Sequence, residues 1–141
     1  MPSPLFPTGV RMVDTADIVA ESNAKAPRTI NVTAGTLSAG DITGGALVVL
    51  ISSNATPGTQ TTRTAAQMYA DDPTAFPGQV YQLRIANSGA GTLTLAAGSG
   101  VTLTGTMTVA TTTFRDFTVV YGGTFDAPTV TITNIGLGTF T

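Results

Sequence analysis

The 141-residue chain contains no cysteine, no histidine and no tryptophan. Without cysteine there is no disulfide, no zinc thiolate site and no thiol nucleophile. Without histidine the commonest general base and the commonest nitrogen ligand are gone, so a metal could be held only by oxygen donors. Charge is scarce too: 10% of residues are charged, against about 25% in an ordinary soluble domain. The cations are Lys25 and five scattered arginines, Arg11, Arg28, Arg63, Arg84 and Arg115. Nucleic-acid binding needs clustered cations to displace phosphate counterions, so no nucleic-acid partner is expected. A run of about 20 apolar residues is also missing, which excludes a spanning helix. The opening Met1-Pro2-Ser3-Pro4-Leu5-Phe6-Pro7 has no basic segment ahead of an apolar one, so folding in the cytoplasm is the expectation.

What the chain does have is alternation. Between Gly78 and Asn134 small polar residues, mostly threonine, alternate with Leu93, Leu95, Val101, Leu103, Met107, Val109, Phe117, Val119, Val130 and Ile132. A period of two specifies strands with one buried and one hydroxyl-covered face. Strands are expected over Thr29–Ala34, Leu37–Ile42, Ala46–Ser52, Gln79–Asn87, Thr92–Ala96, Val101–Leu103, Thr106–Ala110, Thr113–Tyr121 and Val130–Asn134, with glycine-rich turns between the later ones. The continuous run Leu47-Val48-Val49-Leu50-Ile51 reads as a central strand covered on both faces. Asn54 to Arg63 reads as a polar loop turning at Pro57-Gly58. Thr64-Ala65-Ala66-Gln67 has capping-box spacing and opens a helix of about two turns that Asp72-Pro73 ends. Met68 and Tyr69 would cover the end or edge of the sheet.

This pattern predicts an all-β fold: a jelly-roll-like β-sandwich with one short helix, an immunoglobulin-like sandwich being the alternative. Residues 1–28 form an expected extended N-terminal arm, because four prolines block regular pairing while Leu5, Phe6, Val10, Met12 and Val13 make it apolar. Residues 29–141 form the sandwich domain. One domain of this length buries about 68% of the surface its unfolded chain exposes, enough for a core without cross-links.

Few constellations carry chemistry. Asp71-Asp72 fits the end of a helix better than a calcium loop, which needs several spaced oxygen donors. Asp14, Asp17, Glu21, Asp41, Asp116 and Asp126 sit in no catalytic motif, and the pairs Gly89/Gly91, Gly98/Gly100 and Gly136/Gly138 lack the lysine or following helix of a phosphate loop. These glycines are expected to be hairpin turns. No catalytic residue, metal or cofactor is therefore expected. Tyr81, Phe117 and Tyr121 fit core positions, whereas Phe6 and Phe140 lie near the two termini and are candidates for intermolecular contact.

Three stretches, Thr64 to Met68, Pro77 to Asn87 and Gly91 to Gly105, within a similarity reaching Thr118, resemble a segment common in virion proteins of tailed bacteriophages. The nearest likeness is to capsid decoration, or cement, proteins of short-tailed phages infecting Bordetella. That resemblance implies a jelly-roll structural protein, made in the bacterial cytoplasm, that sits as a homodimer on the outer capsid surface and clamps neighbouring copies of the major capsid protein. Leu5, Phe6, Val10, Met12, Val13, Leu137 and Phe140 are the expected partner contacts. The alternative is a tail-fibre or spike module binding host glycans, although no repetitive or coiled-coil shaft is visible.

Overall fold

The computed structural model describes residues 25–140. The expected contacts Leu5, Phe6, Val10, Met12 and Val13, with all of the arm before Lys25, lie outside the described residues. Within them the order is β1 (Arg28–Ile30), β2 (Gly35–Thr36), β3 (Leu47–Ser52), β4 (Gly58–Thr61), α1 (Ala65–Asp71), β5 (Val80–Asn87), β6 (Leu93–Ala96), β7 (Val101–Thr104), β8 (Thr108–Val109), β9 (Thr113–Gly123) and β10 (Pro128–Thr139). One sheet has the spatial order β1-β3-β5-β9-β10-β7 and the other β2-β4-β6-β8. An all-β sandwich-like architecture with one short helix is thus observed.

Alternation builds the core as the sequence requires. Along β5, Tyr81, Leu83, Ile85 and Asn87 are buried while Val80, Gln82 and Arg84 are exposed. Phe117, Val119 and Tyr121 of β9 and Val130 and Ile132 of β10 continue that inner face. Leu93, Leu95 and Val109 of the smaller sheet join them in one core, together with Leu37, Ile42 and Met68. At about 25 cal/mol per Å² of apolar surface removed from water, this shared interior is the main stabilising force.

The helix forms where its cap was legible. The Thr64 hydroxyl accepts from the Gln67 N–H at 3.1 Å, and the Gln67 side-chain oxygen accepts from the Thr64 N–H at 3.0 Å. Asp72 is the C-cap, and Pro73 follows. Met68 is fully buried and the Tyr69 hydroxyl donates to the Gly122 carbonyl at 2.8 Å, so α1 does cover an end of the larger sheet.

Strand direction departs from expectation. A jelly roll pairs its strands antiparallel, but five of the eight pairings are parallel: β1 with β3, β3 with β5, β2 with β4, β4 with β6, and β7 with β10. From β1 to β6 the chain alternates between the two sheets, laying each new strand beside the one placed a circuit earlier. The crossover that parallel strands require is supplied by the opposite sheet. Successive circuits are tied by main-chain bonds at their bends: Ser53 N–H to Ile30 O at 3.0 Å, Ser88 N–H to Ser52 O at 2.9 Å and Gly91 N–H to Asn54 O at 3.1 Å.

Several local expectations are corrected by this winding. The supposed loop Asn54–Arg63 contains β4, because a polar strand can pair on both sides when its neighbours lie in adjacent circuits. Leu37–Ile42 is not a strand; it bends at Gly40-Asp41, with Leu37 and Ile42 still buried. Gly89/Gly91 and Gly98/Gly100 do not form hairpins but arches between sheets, and Gly136/Gly138 lie inside β10. β3 has strands on both sides as expected, yet Leu47 is exposed and Val49 and Ile51 are half-buried, so its outer face is not covered among the described residues.

Candidate interaction surface

The described acidic groups are engaged in local structure, with Asp126 the exposed exception. Asp41 is buried and faces Arg28 at 2.7 Å while accepting from the Ser38 N–H at 2.7 Å. Asp71 accepts both guanidinium bonds of Arg63, at 2.6 and 2.9 Å. Asp72 accepts from the Thr74 N–H and hydroxyl, so the Asp71-Asp72 pair serves a helix end. Asp116 takes a bidentate bond from Arg84, whose guanidinium also lies 4.1 Å from the Phe114 ring centre. Among the described residues no three acidic groups converge in a way that could hold a metal ion.

A cleft of about 220 Å³ opens between the edges of β1 and β2, lined by Arg28, Ile30, Val32, Leu37, Asp41 and Gln60 among others. Within it Arg28 and Asp41 form an ion pair, and the Gln60 amide donates to Val32 O at 2.6 Å. Nearby, the Lys25 ammonium donates to the carbonyls of Gly40 and Thr43. Burial, and then the Arg28 charge, lower the Lys25 pKa, against a smaller opposing effect of Asp41 and Asp72.

Beneath α1 lies an aromatic latch. Tyr69 and Tyr121 meet edge to face at 4.8 Å between ring centres, and Tyr81 stands 5.8 Å from Tyr121. Each hydroxyl has an acceptor: Tyr81 donates to Ile42 O at 2.6 Å and Tyr121 to Asp72 Oδ2 at 3.4 Å. Burial raises the pKa of both; the charge of the neighbouring Tyr121 adds to the rise at Tyr81, as does the Asp72 carboxylate at Tyr121. Both phenols are therefore held neutral in the fold. In the unfolded chain they ionise near pH 10. Their stabilising effect is complete below that pH and is lost as pH climbs towards the raised folded values. Lys25, with a lowered value, contributes in the opposite direction, but it is one half-buried group against two enclosed phenols. Urea unfolding followed across the alkaline range is expected to show constant stability up to about pH 10 and a fall above it. Tyr81→Phe and Tyr121→Phe together should flatten that fall.

Large apolar side chains are also available for contact. Val32, Leu47, Phe76, Val80, Phe125, Ile135 and Leu137 are exposed, Phe125 most of all at 68%. Phe76, Val80 and Phe125 gather at the α1 end: Gln79 N–H bonds Phe76 O, Gly78 N–H bonds Tyr121 O, and the Phe125 ring lies 5.8 Å from that of Tyr69. Leu137, expected from the sequence, is 60% exposed on β10, and Phe140 just beyond is half-buried, its N–H bound to Thr112 O at 2.9 Å. Sequence reasoning missed Val32, Leu47, Phe76, Val80, Phe125 and Ile135. The parity of Val80 with Gln82 and Arg84 did place it outward, and Phe76 and Phe125 sit in turns, where a large apolar group is unusual. Ile135 gave no such signal, since it is the extra residue of a bulge between Asn134 and Gly136.

Compared with known proteins, the chain matches no family model, no curated protein and no solved structure.

Proposed function

We propose that this protein is a structural component of a tailed-phage virion: a capsid decoration protein that binds the outside of the assembled shell and clamps neighbouring major capsid subunits. The class is taken from the resemblance read in the sequence of residues 64–118. Those residues run from the cap of α1 into β9 and so contribute to both sheets. The fold has the two sheets of a sandwich, and its strand directions are not those of a jelly roll. The observation that carries the reading is the exposure of seven large apolar side chains among the described residues, in a chain with 10% charged residues. Side chains of that kind anchor protein interfaces.

The physics of such a role asks for contact area and nothing catalytic. A ligand that binds the assembled shell but not its separate subunits stabilises the shell by linkage. Many copies on a symmetric lattice turn modest contacts into high avidity, and a homodimer would match a two-fold position.

The test is to mix the purified chain with capsids lacking it and to locate it by cryo-electron microscopy. Regular density on the outer shell, with a higher temperature of capsid disruption, is the expected result. Removing residues 1–13 should abolish binding while leaving the sandwich folded by circular dichroism. Density on the tail, with binding to a glycan array, would replace this reading with that of a host-recognition module.

A further inference from the structure

β10 is longer than its neighbour on one side. It pairs with β9 as far as Thr139, but with β7 only across Val130–Thr133. From Ile135 to Thr139 one of its edges has no strand beside it among the described residues. The bond from Phe140 N–H to Thr112 O sets the phase of the pairing with β9. Antiparallel pairs alternate, so Gly136 and Gly138 turn their main-chain groups to β9, and Leu137 and Thr139 turn theirs to the open edge.

Apart from the bulge at Ile135, this edge lacks the devices that keep edges apart. Ile135-Gly136-Leu137-Gly138-Thr139 holds no charge and no proline. Two of its side chains, Ile135 and Leu137, are more than half exposed. The other sheet edges are short or occupied: β2 and β8 have two residues each, and Arg115 bonds the Thr108 carbonyl of β8. β1 is flanked by Pro27 and Lys25. β7 is four residues long and bounded by Gly100 and Gly105, both of positive φ.

We propose that this edge is where a second copy of the chain adds, the two β10 strands pairing antiparallel about a two-fold axis at Leu137. The segment is symmetric about that residue, with a glycine on each side and then a branched side chain. A two-fold there sets Leu137 against Leu137 of the second copy, Gly136 against Gly138, and Ile135 against Thr139. Leu137 is in the phase that offers N–H and C=O outward, so the central pair exchanges two main-chain bonds. The pairing also ends in time: β7 begins to occupy the track at Thr104, opposite Thr133. Each larger sheet would continue into the other.

An edge of five residues buries less than the roughly 1,200 Å² of a standard stable interface. The dimer is therefore weak in solution and concentration-dependent. This proposal gives a surface to the self-association in the functional reading above, and rests on that reading only for its setting on a capsid.

Sedimentation velocity on the full chain, from low micromolar to near-millimolar concentration, is expected to show mass rising from 14.3 kDa towards twice that value. Leu137→Lys places like charges opposite one another and should weaken association about tenfold or more, with an unchanged melting curve. The chain has no native cysteine, so one introduced thiol gives a clean second readout. Paired residues of this type stand about 5.5 Å apart at Cα, within disulfide range. Leu137→Cys should thus oxidise to a covalent dimer much faster than the exposed control Ala39→Cys. A chain monomeric at every concentration overturns the proposal, as does a dimer indifferent to Leu137→Lys or equal oxidation of the two cysteine variants. A monomer in which the Leu137 and Thr139 amides resist hydrogen exchange would show that the chain covers its own edge, and overturns it too. Dimerisation without capsid binding would sink the virion reading alone, and capsid binding by a strict monomer would sink this one alone.

Discussion

Gly91→Ala is expected to be among the most damaging single substitutions in the sandwich, although it adds one methyl group. Gly91 is buried in the arch between β5 and β6, and a Cβ there would run into the main chain of Thr56 and Pro57 in the arch of the preceding circuit. Flexible side-chain ends could rotate away, but these are peptide atoms held by the bond from Gly91 N–H to Asn54 O. Relief requires the two circuits to separate, which strains their shared bonds. Overpacking of a tight site costs about 3 kcal/mol, and for a domain of this size that lowers the melting temperature by about 10 °C. Thermal unfolding followed by circular dichroism checks this. An unchanged melting temperature would mean that the arches are not in contact. Gly136→Ala, with open space around its Cβ position, is the control and should change little.

Asn87→Ala is expected to cost a similar amount by a different route. Asn87 is fully buried, and its amide donates at 2.8 Å both to Gly91 O and to Val109 O while its oxygen accepts from the Gly89 N–H at 2.9 Å. One side chain thereby holds the arch closed and ties it to β8 of the smaller sheet. Truncation leaves two carbonyls and an N–H buried without partners, at about 1–3 kcal/mol for each group that water cannot reach. Some water will enter the space, so a total of about 3 kcal/mol is expected. Asn87→Asp keeps the acceptor but sets a buried carboxylate oxygen against the carbonyls of Gly91 and Val109, and should cost at least as much as alanine. Because both substitutions open the same arch, Gly91→Ala with Asn87→Ala should cost less than the sum of the two. Strict additivity would show that the arch is not one unit.

These two sites show what is hard to read in a chain of this type. Asn87 closes an alternating strand, and its polarity alone suggested a turn residue at a strand end. Its burial is set by β8, whose Val109 follows 22 residues later and could not be located in space from the sequence. The glycines at 89 and 91 are written the same way whether they make a hairpin or an arch. Only the neighbouring circuit decides, since a Cβ is forbidden by the main chain of Asn54 at Gly89 and of Thr56 at Gly91, and not by anything local. The candidate surface divides similarly. Leu137 was expected as a contact near the C-terminus, whereas the open edge it occupies depends on β7 stopping at Thr104.

The sequence by itself determined the chemistry and the parity of this protein. Absent histidine and cysteine removed most catalytic options, alternation assigned nearly every side chain from Val80 to Ile132 to the core or to the surface, and Thr64 and Gln67 set where the helix begins. Those are local properties, because a side chain's face follows from its position in a strand and a cap from residues three apart. The tertiary structure decided the rest: which strands pair, that five pairings are parallel, where the sheets bend, and which backbone edge is left open. Strand direction depends on partners far away in the chain, and a period of two is the same read in either direction.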